Sequence, residues 1–220
     1  MSFSSLADLG IALLYLLGAL IFLLGVLARK SALKRCATWI TACGFCLHSL
    51  SLGLKTAAQP QQAISQGHFY FSFLAWSLLL IYLFLWWRLR LQFMALTAAP
   101  LALILFTPSI LVNTQPLTIP SKLSSLWFGL HIGALFLSLA FLAMGFGAGI
   151  FYLYINRQIK EKKKLGPFRR DIPSLGTFDR LNHLTVSVGF PLFTLGLLSG
   201  FIWAGFTWGN VFSWDPKELV

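Results

Sequence analysis

The chain of 220 residues is 57% hydrophobic and only 10% charged, with a mean hydropathy of +0.77. A soluble globular domain, in which about a quarter of the residues are charged, is excluded by those values. The formal charge of +11 would point to nucleic acid in a soluble protein, but in a membrane chain the same residues report topology.

Six runs are long and apolar enough to cross a bilayer, which needs about 20 helical residues. They lie near 6–28, 36–54, 69–87, 93–112, 126–154 and 184–206. The expected fold is an all-α polytopic membrane protein, one integral membrane domain over 1–220. The first run has no basic residue before it and no small-residue cleavage pattern after it, so it reads as a retained helix. Its one charge, Asp8, suggests no chemistry, and the run reads as scaffold.

The second run carries Cys36, Cys43, Cys46 and His48. Covalent haem attachment needs a His directly after the second Cys of its motif, and Leu47 intervenes here. The cysteines therefore read as small apolar side chains. His48 is different, because an ionisable group at membrane depth is costly without a partner. Two readings stand for it: a ligand to a cofactor, or a neutral imidazole bonded to a neighbouring helix.

The polar stretch from Lys55 to Gly67, with Pro60 and four Gln, reads as a short outer loop without a catalytic motif. His68 follows at the membrane edge, where His is common even with nothing bound. The third run ends in Trp86, Trp87, Arg88 and Arg90, an aromatic and basic anchor. The fourth holds Pro100 and Pro108, which should kink or shorten it. A second polar loop, 113–125, leads to Trp127 and His131.

The fifth run, roughly 30 residues, would exceed the hydrocarbon thickness by about 15 Å if straight, so it tilts or its ends protrude. Gly145 and Gly149 within it, and Gly196 and Gly200 in the sixth run, have spacings that permit close helix contact. Between those runs, 156–182 is expected as a basic cytoplasmic loop whose charges set topology and touch anionic lipid. His183, at the far face, reads as uninvolved.

Arg29, Lys30, Lys34 and Arg35 follow the first run, Arg88 and Arg90 the third, and eight more basic residues from Arg157 to Arg180 the fifth. Of the 17 Lys and Arg residues, only Lys55, Lys122 and Lys217 fall on the opposite side. The positive-inside rule then sets the N-terminus outside, the basic loops in the cytoplasm, and the C-terminal aromatic stretch on the outer face.

That last stretch, 207–220, reads WGNVFSWDPKE from Trp208 to Glu218. An aromatic belt with a turn at Asp215 and Pro216 accounts for scattered Trp residues but not for their order. The order resembles the tryptophan-rich haem-handling signature, the WWD motif, of the cytochrome c assembly membrane proteins of the CcsA and HemX type, with Phe212 in place of the middle Trp. VGFPLFTLGLLSGFIWA before it, LHIGALFLSLAFLAMGFGAGIFYL upstream and LHSLSLGL in the second run extend the resemblance from that run onward.

The resemblance implies a platform for non-covalent haem b on the outer face, formed by Trp208, Gly209, Trp214, Asp215 and Pro216, with Lys217 the nearest cation for a propionate. It matches His131 to the family's external axial histidine and His48 to its intramembrane histidine. A flat apolar ring suits indole stacking, and its iron accepts neutral imidazole nitrogen. Family members usually continue past the motif into further helices that carry another intramembrane His and the second external ligand. This sequence stops at Val220. A full ligand pair does not carry over, and His68, on the same face, is the geometric candidate for the missing position. A fragment, a single-His site and a site completed by a partner chain all remain open.

The expected function is haem binding and presentation for cytochrome c maturation in a bacterial inner, or cytoplasmic, membrane. The expected partners are haem, apocytochrome c and other assembly proteins, with no nucleic acid. Alternatives are a HemX-like regulator of haem biosynthesis and a transporter or channel subunit; scarce intramembrane charge disfavours the last. With no Ser/His/Asp set, carboxylate pair or phosphate loop, the chain reads as a non-catalytic subunit of a haem-attachment complex.

Overall fold

A computed structural model describes residues 3–111, 126–162 and 173–208, and these are all-helical. The helices are α1 (Phe3–Leu27), α2 (Ser31–Ala58), α3 (Pro60–Ser65), α4 (Gly67–Leu89), α5 (Ala95–Leu111), α6 (Leu126–Lys160) and α7 (Leu175–Trp208). A 3₁₀ turn, Gln92–Met94, leads into α5. Six spans among the described residues, α1, α2, α4, α5 together with its leading 3₁₀ turn, α6 and α7, are long and apolar enough to cross a membrane, so the protein is a multi-pass membrane protein.

Consecutive helices pair: α1 with α2, α4 with α5, and α6 with α7. The pairs join through α1 against α5 and α4 against α6. Tyr15, Leu79, Tyr82, Leu85, Phe106 and Met144 are fully buried where these helices meet. Lipid-facing leucines on α1, including Leu20 and Leu24, are left outside, as expected where the solvent is itself apolar.

The α6–α7 seam is built on glycine. A Cβ on Gly145 would meet Thr185 Oγ1 at 2.6 Å, one on Gly189 would meet Leu142 at 3.2 Å, and one on Gly196 would meet Leu135 at 2.7 Å. Missing side chains let the backbones approach closely, and Ser138 Oγ donates to the Gly189 carbonyl oxygen at 2.8 Å across the gap. Both glycine pairs singled out in the sequence lie on this seam.

Two expected loops contain more helix than expected. The polar stretch after Lys55 continues α2 to Ala58 and then forms α3, with Pro60 at the first turn where its absent N–H costs nothing. The expected loop 156–182 is helical to Lys160 and again from Leu175. The long fifth run therefore projects a polar end, including Arg157 paired to Glu161, beyond the membrane. Helix α5, with Pro100 and Pro108 inside it, is 17 residues long.

Arg29, Arg90 and Lys162, just after α1, α4 and α6, have positive φ of 57°, 58° and 51°. Glycine usually takes this left-handed position at a helix end. A basic residue there costs about 1 kcal/mol of backbone strain. In return it sets a cation beside the negative end of the helix dipole, on the side where basic residues collect.

Candidate functional site

His131 lies in the second turn of α6, half-buried against α7. Its Nδ1 is 2.7 Å from the backbone carbonyl oxygen of Gly196. A carbonyl only accepts, so Nδ1 carries the proton and, in the neutral ring, Nε2 keeps its lone pair. Nε2 has no hydrogen bond among the described residues. The ring lies nearly parallel to Trp203, at 12° and 6.3 Å between centroids, and Trp203 in turn packs on Phe128 at 5.4 Å. Gly200 leaves the space: a Cβ there would come 2.5 Å from Nδ1. One imidazole nitrogen fixed by a backbone carbonyl and the other left open is the arrangement that orients a histidine ligand toward a metal.

His48, about two-thirds of the way along α2, is buried with both nitrogens engaged. Nδ1 is 2.9 Å from the Tyr15 hydroxyl and Nε2 is 2.7 Å from the Ser72 hydroxyl. Phe106 packs edge-on against the ring at 4.7 Å. This is the neutral, bonded imidazole of the second reading, tying α1, α2, α4 and α5 together. Ligation by His48 requires Tyr15 or Ser72 to give up its contact.

His68, one turn before Ser72 on α4, is half-buried and lines a cavity of about 820 Å³ among the ends of α1, α2, α4 and α5, roofed by α3. At the same cavity Lys55 Nζ bonds both carboxylate oxygens of Asp8, at 2.9 and 2.8 Å. The ion pair gives Asp8 a structural role, holding its charge across the α1–α2 pair. The signal in the sequence was two opposite charges near the same-side ends of adjacent helices. His131 does not line this cavity. The two histidines share a membrane face, since Phe136 of α6 packs on Tyr70 and Phe73 of α4, but they do not face one site.

Cys36, Cys43 and Cys46 lie exposed on the outside of α2, and His183 is exposed as well. No cluster of three or more His, Cys, Asp or Glu side chains among the described residues is placed to hold a metal. The Trp208 side chain and Gly209, Trp214, Asp215, Pro216 and Lys217 lie outside the described residues. Helix α7 nevertheless runs to Trp208, so that stretch begins five residues, or about 8 Å of helix, beyond Trp203.

Residues 64–220 match the family model described as Cytochrome C assembly protein. Among curated relatives, the cytochrome c biogenesis protein CcsA of Chlorella vulgaris is 33% identical over 195 residues, covering 70% of this chain and 61% of that protein. CcsA of Guillardia theta is 29% identical, covering 66% and 54%. CcsA of Pyropia yezoensis is 26% identical over 226 residues, covering 84% and 70%. The chain thus spans just over half to three fifths of the length of the first two relatives. With its family match extending over more than half the sequence, the chain belongs to the cytochrome c assembly family.

Proposed function

We propose that this chain binds haem b non-covalently at the outer face of the membrane and presents it for attachment to apocytochrome c, as a subunit working with other assembly proteins. The observation that carries the reading is the His131–Gly196 hydrogen bond, which directs the free Nε2 away from α7's backbone near the end of the helix that leads into the Trp-rich stretch. Haem, the cargo here, offers an iron for that nitrogen and a flat face for indoles.

In this reading His131 supplies one axial ligand, Trp208 and Trp214 form the stacking platform, and Gly209, Asp215 and Pro216 shape the turn. Lys217 meets a propionate. His48 serves, if at all, only after Ser72 or Tyr15 releases it, and His68 belongs to another cavity. Basic helix ends on one side support an N-terminus outside and a site on the outer face of an inner membrane. The relatives' name, cytochrome c biogenesis protein, supports the pathway.

The test is a visible absorption spectrum of the purified chain, oxidised and reduced, beside His131→Ala. The expected result is a Soret band and reduced low-spin bands in the wild type, diminished in the variant. An unchanged spectrum in the variant ends the ligand assignment.

A further inference from the structure

We infer that the groove between α2 and α4, at the membrane face where the basic residues collect, holds the phosphodiester headgroup of an acidic phospholipid between Arg35 and Arg90. The groove lies at the opposite end of α4 from His68, and the inference does not rest on the haem reading.

Two contacts join α2 to α4 there. Gln92 Nε2 donates to Thr38 Oγ1 at 2.9 Å, and the Trp39 and Trp86 rings meet edge to face with centroids 5.8 Å apart. Helix α2 runs away from this face and α4 runs toward it, so the residues one turn nearer the face are Arg35 on α2 and Arg90 at the end of α4. The backbone N–H of Arg90 donates to the Trp86 carbonyl oxygen at 2.9 Å, which fixes Arg90 under that ring. The ring contact therefore sets the two arginines as neighbours across the groove. Both are exposed, and neither forms an ion pair among the described residues.

Their surroundings favour an anion. Arg29, Lys30 and Arg88 are exposed beside them, and 27–40 and 84–95 contain no Asp or Glu. Like charges so gathered repel one another unless an anion lies between them. A guanidinium presents N–H donors in a fixed fork that matches two phosphate oxygens, so two arginines across one groove take a single phosphodiester from both sides.

The tryptophans favour a lipid as the carrier of that phosphate. Trp39 and Trp87, one turn deeper in the membrane than the cations, are 63% and 72% exposed. Indole rings at that depth lie against the glycerol and the upper acyl chain. Basic pockets between helices on the cytoplasmic side suit acidic headgroups. A lipid held in this way clasps α2 to α4 at the basic end, as the His48–Ser72 hydrogen bond does further along the same two helices.

The experiment is native mass spectrometry of the full chain in detergent, with added phosphatidylglycerol or phosphatidylcholine of identical acyl chains, beside thermal unfolding. One phosphatidylglycerol should stay bound at concentrations where phosphatidylcholine does not. Arg35→Gln with Arg90→Gln should weaken it at least tenfold. Lys160→Gln with Lys162→Gln, which removes the same charge from the end of α6, should change it less than twofold. Saturating phosphatidylglycerol should raise the unfolding midpoint of the wild type and of the α6 pair, but not of the Arg35 and Arg90 pair. Arg35→Lys with Arg90→Lys keeps both charges and loses only the fork; a loss of at least threefold is expected, and this pair decides the matter if the Gln pair does not fold.

Three results overturn the inference. They are equal retention of the two lipids, equal weakening by the two Gln pairs, which would reduce the arginines to a diffuse field, and displacement of phosphatidylglycerol by glycerophosphate at matching concentration, which would make a soluble phosphate the ligand. None of them touches the His131 reading, whose test is spectral.

Discussion

His131 and Gly196 are joined across the α6–α7 seam by a 2.7 Å hydrogen bond from an imidazole nitrogen to a backbone carbonyl oxygen. The contact exists because Gly200, one turn further along α7, has no side chain where the ring lies. Ser199 Oγ donates to the same carbonyl at 2.9 Å, so the acceptor is itself held by its own helix. Side-chain space, ring orientation and the open Nε2 are thus one construction.

Gly200→Ala should break that construction. The added Cβ would stand 2.5 Å from Nδ1 and 2.6 Å from Cε1, closer than real Cβ atoms come to neighbours. The ring must then turn or the helices part. Disturbing a group that orients a ligand typically costs 10–100-fold in metal affinity. Haemin titration should show about that loss at the His131 position, with helix content by circular dichroism unchanged. Affinity equal to wild type would mean that the Gly196 bond does not orient the ligand.

The two glycines of the α6 GxxxG spacing should behave differently. A Cβ on Gly145 meets Thr185 Oγ1 at 2.6 Å, whereas on Gly149 the nearest atom, Asn182 Nδ2, is 3.6 Å away. Gly149→Ala fills ordinary contact distance and removes a flexible residue from a helix interior, which favours the folded state by up to about 1 kcal/mol. Gly145→Ala forces the seam apart and should cost about 1–3 kcal/mol, as overpacking usually does. Thermal unfolding in detergent should lower the transition for Gly145→Ala alone. Equal shifts for the pair would refute the seam's register.

Much of this arrangement was legible in the sequence, and what was hidden has a physical reason. Six spanning helices announce themselves because the bilayer demands apolar runs of fixed length. Their ends do not: 156–160 and 175–183 mix polar and charged residues with apolar ones such as Phe178 and Leu181, so the hydropathy signal fades before the helix does. His131 and His68 were both expected at one membrane face, and Phe136 of α6 packing on Tyr70 and Phe73 of α4 agrees with that shared level. Which way each faces around its helix was not legible, and that separates His131 on the α7 seam from His68 in the α1–α5 cavity. His48's partners, Tyr15 and Ser72, lie on two other helices, and nothing in the residues near His48 announces them.

Ser72→Ala tests how His48 is held. The substitution leaves Nε2 without its hydroxyl partner in a buried setting, while Nδ1 keeps Tyr15. An unsatisfied buried group costs roughly 1–3 kcal/mol, and hydrogen bonds between membrane helices average about 0.6 kcal/mol, so a loss near 1 kcal/mol is expected. It should appear as a lowered unfolding midpoint, together with an imidazole freed toward the cavity floor. Tyr15→Phe should cost a similar amount without opening the cavity. A chain unaffected by either change would show that His48 is not structural.

The topology carries the whole outer-face reading, and thiol labelling tests it directly. Cys36, Cys43 and Cys46 are exposed on the lipid side of α2, so replacing all three by Ala should leave folding nearly unchanged. On that background Gln62→Cys places one thiol in α3, at the roof of the cavity, and Lys162→Cys places one in the left-handed turn after α6. Basic residues cluster at the second position and are sparse near the first, so the positive-inside rule puts them on opposite sides. A membrane-impermeant maleimide added to intact cells should label Gln62→Cys at once and Lys162→Cys only after permeabilisation. The opposite pattern would put His131, His68 and the Asp8–Lys55 pair on the cytoplasmic side. Haem held there would face the compartment of its synthesis instead of that of its attachment, and the presentation reading would fall even if every spectrum agreed with it.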